Sequence, residues 1–190
     1  MRTLGIVRTH NEREIPVAGG YAIDPAHTSV EFVARHLMIT KVRGRFPEVS
    51  GTITIDEEPE RSHVEVEINV ASIDTGNPDR DNHLRSADFF DVDDYPRMSF
   101  SSRSVKASGG TWLVVGDLTV RDVTRPLTLH ADFDGAGASP FGDERISFSA
   151  TAEIDREDWG LTWNVGLETG GVLVGKKVRI EINVQAVRAA

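Results

Sequence analysis

Ser29-Val-Glu-Phe-Val-Ala-Arg-His-Leu-Met-Ile-Thr-Lys-Val-Arg-Gly-Arg-Phe46 is the stretch whose reading decides the fold. Side chains alternate across a β-strand, so Val30, Phe32, Ala34 and His36 share one face. Glu31 and Arg35 share the other with Val33 and Leu37. After a bend the alternation resumes, with Val42, Gly44 and Phe46 opposite Lys41, Arg43 and Arg45. Gly44 on the apolar face marks a bulge, a sharp bend or a close approach to the backbone. His36 is the one ionisable group on that face. The pattern fits one wall of a closed sheet with an apolar inside.

Downstream, Pro47 interrupts, and Val49, Gly51, Ile53 and Ile55 then alternate with Ser50, Thr52, Thr54 and Asp56. The apolar parity moves from even to odd, as an inserted bulge residue requires. Val64, Val66, Ile68 and Val70 against Glu65, Glu67 and Asn69 form the clearest strand. One buried and one wet face is antiparallel behaviour. The stretch 71–86 breaks the rhythm. Asn77 suits an N-cap, Pro78 the first helical position, and Asp79 and Asp81 the positive end of a helix, so one short helix is expected over 78–86. Phe89 and Phe90 follow, one of them expected to plug the body. Further alternating runs start at Met98 and Phe100, at Trp112, at Leu127, at Ile146 and at Val178. The turn 121–126 is a tight hairpin in which Asp122 tolerates positive φ; 135–140 reads as a longer loop. Upstream, Tyr21–Pro25 is a short strand, and residues 1–19 show no period and read as a flexible extension or a peripheral arm. The rest, 20–190, is a single all-β domain of about eight antiparallel strands, either an up-and-down barrel or a sandwich.

Composition narrows the chemistry. A chain of 190 residues with 39% hydrophobic and 27% charged residues is an ordinary globular domain. The formal net charge of −9 argues against a nucleic-acid partner. No apolar run reaches transmembrane length. The first ten residues hold no apolar core of secretory-signal length, which sets the expectation of a cytoplasmic protein, with periplasmic or secreted placement left open. With no cysteine, thiol catalysis and cysteine-bound metals are out. The six histidines form no metal-ligating motif, so neither metal nor cofactor is expected. There is no nucleophile elbow, and the glycine-rich stretch 168–175 lacks the lysine and helix of a phosphate loop. What remains is an apolar interior with several small inward residues (Ala34, Gly44, Gly51, Gly116, Ala131, Ala150, Ala152). These are compatible with either a filled core or a tunnel.

Linked motifs sharpen this. Asp24-x-x-His27-x-Ser29-x-x-Phe32-x-x-x-His36 and Val42-x-Gly44-x-Phe46 open the series. Asp81-x-His83-Leu-Arg-Ser-x-Asp-Phe-Phe90, Gly116-Asp-Leu-Thr119, Val123-Thr-Arg-Pro126, Ile154-x-Arg156 and Val174-Gly175 continue it. Together, over about residues 20–187, the chain resembles the YceI-like family of lipid-binding proteins. The resemblance implies an eight-stranded antiparallel lipocalin-like barrel with one short helix, often dimeric. It also implies non-catalytic binding of a polyisoprenoid or other long-chain amphiphile. Asp122 stands where the family more often has glycine.

On that reading the ligand chain lies along Val30, Phe32, Ala34, Val42, Phe46, Val66, Ile68, Phe100, Leu118, Phe148 and Ile180. His36, Arg43, His83 and Arg85 are expected to contact a polar head, Arg43 only near a rim because of its outward parity. Two other readings stand beside it. One is a hydrolase or isomerase on a lipid-like substrate with His36 or His83 as general base. The other is a stress-associated interaction module with a filled barrel.

Overall fold

Strands with one apolar face bury it most completely when the sheet curls until its first and last strands pair, which also removes both edges. The computed structural model, which describes residues 5–190, has this arrangement. Its strands in chain order are β1 (Val7–His10), β2 (Arg13–Pro16), β3 (Gly19–Ile23), β4 (Ser29–His36), β5 (Thr40–Arg45) and β6 (Val49–Ile55). Then come β7 (His63–Asn69), the helix α1 (Pro78–Arg85), β8 (Arg97–Ser108), β9 (Thr111–Val120), β10 (Val123–Ala138), β11 (Glu144–Asp155) and β12 (Val174–Arg188). Eight strands close a ring in the order β3, β6, β7, β8, β9, β10, β11, β12, with β12 returning to β3. All neighbours are antiparallel. The fold is therefore an eight-stranded antiparallel barrel with one α-helix among the described residues.

Two strands extend the wall. The end of β12 (Ala186–Arg188) pairs with β3, while its earlier part (Val174–Asn183) pairs with β4, which pairs with β5. The free side of β5 meets the segment that carries α1, where Arg45 and Asp74 exchange both backbone hydrogen bonds at 2.9 Å. The parity change at Pro47 has its cause here. β5 and β6 do not pair with each other, and the chain crosses between them, so the change marks a connection rather than the expected bulge.

Three other expectations are corrected. Of the stretch 1–19, residues 1–4 lie outside the described residues, and 5–19 are not simply an extension: β1 and β2 form a hairpin, Ile6 and Ile15 are buried, and the Arg8 guanidinium donates to the Asp56 carbonyl at 2.6 Å. Ile6 joins an apolar cluster with Tyr21, Ile23, Ile53 and Ile146. These contacts lie far apart in sequence, so no local period announces them. The loop expected at 135–140 begins later, because β10 runs on to Ala138 through a register shift at Gly135. At the β9–β10 turn Arg121, and not Asp122, takes positive φ (56°). Its guanidinium reaches the Phe89 carbonyl at 3.4 Å and faces the Tyr95 ring at 5.5 Å.

Inside, two glycines make room for aromatic rings. Phe32 and Gly44 are direct cross-strand partners, and the Phe32 ring lies where a Cβ on residue 44 would be. The Phe100 ring covers Gly116 in the same way. Gly44→Val is therefore expected to destabilise by about 1–3 kcal/mol through overpacking. Chemical denaturation measures it, and Gly44→Val should cost little more when added to Phe32→Ala, where the ring it meets is gone.

Outside, Arg145 on β11 holds Asp24, just past β3, at 2.6 Å, and His27 Nδ1 lies 2.8 Å from the same carboxylate. The Arg145 hydrogen bond foremost, and His27 after it, lower the Asp24 pKa from the ordinary 3.8 to about 2. A carboxyl whose folded pKa is depressed adds stability that is present above its unfolded pKa and is lost as pH falls through the folded value. The melting temperature of Arg145→Met should accordingly lie a few degrees below wild type at pH 6. The gap should close as pH drops from about 4 to about 2.

Candidate functional site

The barrel is hollow. Its interior holds a cavity of about 310 Å³, walled almost entirely by carbon. The wall follows the inward parity of every ring strand: Ile23, Ile53 and Ile55, Val64, Val66 and Ile68, Met98 and Phe100, Val114 and Leu118, Leu127 and Leu129, Phe148 and Ala150, Ile180 and Ile182. Ala131 and Ala150 are cross-strand partners, so two small side chains meet where the wall could have been filled. That pairing, with Ala34 on β4, leaves the volume open.

Each end of the cavity is built differently. At one, Ile15 and Pro16 of the N-terminal hairpin reach the wall together with Pro59 and Ser62. At the other, the segment 70–95 turns inward. Its helix starts as the sequence demands: the Asn77 side chain accepts from the Arg80 N–H at 3.0 Å, with Pro78 next in line. The Asp81 carboxylate, buried, accepts from the Thr75 N–H and hydroxyl at 2.9 and 2.5 Å. With the helix so anchored, Leu84, Phe89 and Phe90 all point into the cavity. Phe90 stands edge-on to Phe46 with ring centres 5.7 Å apart, and Phe46 lies 5.6 Å from Phe32. Both phenylalanines plug this end, where one was expected.

Of the residues assigned to a ligand chain, Val30, Phe32, Ala34, Phe46, Val66, Ile68, Phe100, Leu118, Phe148 and Ile180 line the cavity. Val42 does not; it lies near the end of the β4–β5 hairpin, beyond the enclosed part. None of the residues assigned to a polar head reaches it either. His36 is exposed and pairs with Thr40 at the last rung of that hairpin. Arg43 lies on the outer face, 3.0 Å from Glu181 and 3.8 Å from Glu31. Arg85 donates to the carbonyls of Ala71 and Ile73 at 2.8 and 2.9 Å, clamping α1 to the preceding turn. His83 Nε2 sits 2.8 Å from an Asp88 carboxylate oxygen, and its ring stacks edge-on to Trp163 at 4.5 Å. Alternation and motif position bring such residues near the barrel but do not say whose donors are already spent.

Arg156, a buried polar residue of the wall, has no role assigned from the sequence, although it continues the inward parity of Ile146, Phe148, Ala150, Ala152 and Ile154. It is 4% exposed and in no ion pair among the described residues; it donates instead to three carbonyls, Gly175 (2.9 Å), Leu161 (2.5 Å) and Val174 (3.3 Å). Burial pushes its pKa down from the usual arginine value, against the pull of the neighbouring Glu157 and Asp155 charges. Its guanidinium carbon also lies 6.0 Å from the Phe89 ring centre. This side chain ties the turn after β11 to the start of β12 beneath the plug. The neighbouring Trp159 donates its indole N–H to the Leu118 carbonyl at 2.9 Å.

Among the described residues, no three histidine, aspartate or glutamate side chains converge as metal ligands would. Among these residues, too, no helix is long and apolar enough to cross a membrane.

A closed eight-stranded barrel around an apolar cavity, stoppered by one helix-bearing segment, defines a lipocalin-like class of protein. The chain belongs to the YceI-like family, whose domain model matches residues 21–186. A UPF0312 protein of Serratia proteamaculans is 38% identical over 176 residues, which is 91% of this chain and 88% of that protein. The crystal structure of the Campylobacter jejuni YceI protein superposes with a TM-score of 0.70 at 30% identity, covering 82% of this chain and 90% of that one. A domain from Saccharophagus degradans described as polyisoprenoid-binding has the same fold at 16% identity, with a TM-score of 0.66 over 89% of this chain and 98% of that one.

Arg156→Met keeps much of the side-chain bulk but takes the guanidinium donor from the Leu161 and Gly175 carbonyls, while the Val174 carbonyl keeps the Asn164 side-chain N–H. At about 1–3 kcal/mol for each unmet group, the expected loss is roughly 2 kcal/mol or more. Urea unfolding followed by tryptophan fluorescence measures it.

Proposed function

We propose that the barrel binds one long apolar chain, a polyisoprenoid or fatty-chain amphiphile, and carries or stores it without chemical change. The observation that carries this reading is the cavity itself. At about 24 cal/mol per Å³, an empty apolar space of about 310 Å³ costs on the order of 7 kcal/mol, comparable to the whole stability of a domain. A fold that keeps such a space open is best understood as one that fills it with a ligand. Each CH₂ transferred from water to this wall gains about 0.8 kcal/mol, so a long chain binds firmly with no hydrogen bond. The S. degradans domain described as polyisoprenoid-binding supports the choice of ligand class.

Binding without catalysis is supported by the state of the ionisable groups at the wall. Arg156 spends its donors on carbonyls, and Glu31 turns outward toward Arg43. Neither His36 nor His83, the two candidate bases, reaches the cavity. The proposed ligand contacts are the lining residues Val30, Phe32, Ala34, Phe46, Val66, Ile68, Phe100, Leu118, Phe148 and Ile180. Arg43 and Arg85 drop out as head-group contacts because their donors serve the fold.

Mass spectrometry of an organic extract of the purified protein is expected to find a stoichiometric long-chain lipid. Ala150→Phe, which places a ring in the middle of the cavity, should retain the fold with a melting temperature close to wild type. It should lower lipid content or isoprenoid affinity at least tenfold. An extract without lipid, together with no uptake of added isoprenoid, would sink the carrier reading.

A further inference from the structure

We infer that the tip of the β4–β5 hairpin, Leu37-Met38-Ile39, is a docking finger for an anionic lipid bilayer. This inference rests on the lipid-carrier reading and deepens it, since it names the surface with which the barrel exchanges its ligand.

Three local costs coincide at this tip. The first is apolar exposure: Leu37, Met38 and Ile39 are 40%, 54% and 78% exposed, and Val165 of the adjoining loop is 46% exposed. The second is backbone strain. The Ile39 N–H closes a tight turn onto the His36 carbonyl at 3.1 Å, with φ of 54° at Leu37 and 62° at Met38. A turn with positive φ at both central positions favours Asn-Gly, and large side chains there are strained. The third is like charge. Arg35 and Lys41 are exposed, directly opposite one another across the hairpin. Neither has an ion-pair partner among the described residues, and like charges so placed repel. An anionic apolar–aqueous interface offsets the first and third costs together: it buries the tip and neutralises the two cations. The second cost then has a use, because the strained turn aims Leu and Met outward where Asn-Gly would offer nothing to insert.

Position agrees with this assignment. Ala34 and Val174 line the cavity, and His36, two residues past Ala34, pairs with Val174. The finger therefore stands at one end of the lipid-binding space. It is also braced rather than loose. The Leu37 N–H donates to the Leu173 carbonyl at 2.8 Å, and the Leu173 N–H donates to the Val165 carbonyl at 2.9 Å. Asn164 holds Val174 through both its N–H and its carbonyl. The charges facing the tip from this loop and from β12 are Glu168, exposed, and Lys176 and Lys177, which pair with Glu157 and Glu153. The local balance is cationic on a chain of net charge −9. The other strongly exposed large apolar residue among those described, Phe141 at 92%, sits beyond β10 near Asp143 and Glu144 and has no such cationic setting.

Flotation of the full chain with vesicles tests the finger. One set is phosphatidylcholine alone, the other about one third phosphatidylglycerol. Wild type is expected to float with the anionic vesicles and weakly with the neutral ones. Arg35→Glu/Lys41→Glu should weaken binding to the anionic set roughly tenfold or more, and Phe141→Ser should not change it. Leu37→Asn/Met38→Gly supplies the readout that a structural role would not produce: it relieves the turn, so its melting temperature should rise while vesicle binding is lost. Equal flotation of wild type and these tip variants, or no flotation at all, overturns the inference. So does light scattering that shows a dimer dispersed by the tip variants, which would mean that a second copy of the chain covers the patch. Lipid extraction from the same preparations separates the two readings. A loaded barrel that never floats overturns the finger alone; a floating protein that takes up no isoprenoid overturns the carrier reading and leaves the finger standing.

Discussion

The pairing of β11 with β12, unbroken from Asp155–Lys177 to Arg145–Val187, is the constraint on which the rest depends. It joins the two ends of a sheet whose strands all carry one apolar face, and in doing so leaves the ring without a free edge. Once the ring is closed, its girth is set by strand number and stagger rather than by the volume of the side chains inside. The interior then follows from what the inward positions hold. Rings such as Phe32 and Phe100 are accommodated over Gly44 and Gly116, and the Ala131–Ala150 pair leaves space unfilled. The cavity is a consequence of closing a ring of fixed size around side chains too small to fill it.

Closure also decides where polar groups go. β12 is long enough to serve two partners on one side, β3 and then β4, and the wall beyond β5 is completed by an irregular segment. Irregular backbone near an apolar space must have its donors and acceptors met. Arg85 and Arg156 meet many of them, each spending its guanidinium on carbonyls, while Asp81 receives the N–H and hydroxyl of Thr75. Charged residues near the cavity thus serve mainly to hold the stoppers in place. The well-exposed ion pairs, such as Arg43 with Glu181, are solvated and contribute little to stability, unlike the more sheltered Arg145–Asp24 pair.

Much of this was legible from residue order. Two-residue alternation marks the ring strands and their inward faces, since a strand buried on one side must repeat with period two. The helix start is equally plain, because Asn77 and Pro78 solve the problem of the unpaired N–H groups with their own chemistry. Motif resemblance pointed to the family and to the cavity wall. Other features were hidden for physical reasons. The parity change at Pro47 looks the same for a bulge as for a crossing between unpaired strands. The N-terminal hairpin has few apolar residues, and Ile6 and Ile15 are held by contacts remote in sequence. Arg43 and Arg85 look like free donors until their acceptors, Glu181 on β12 and two carbonyls of the preceding turn, are brought beside them.

The sequence by itself determined the strands, their buried faces, the helix cap and the apolar character of the interior, because each depends on neighbours one to four residues away. Only the tertiary structure decided that the interior is hollow, since a cavity is the difference between ring girth and side-chain volume summed over eight distant strands. It alone decided which cations are spent on carbonyls and carboxylates and which stand free. In Ser29–Phe46 both kinds of information meet. Alternation placed Phe32 and Gly44 on the inward face, but only the register of β4 against β5 set the one ring upon the other residue. That register also left Leu37, Met38 and Ile39 in the open, beyond the last rung.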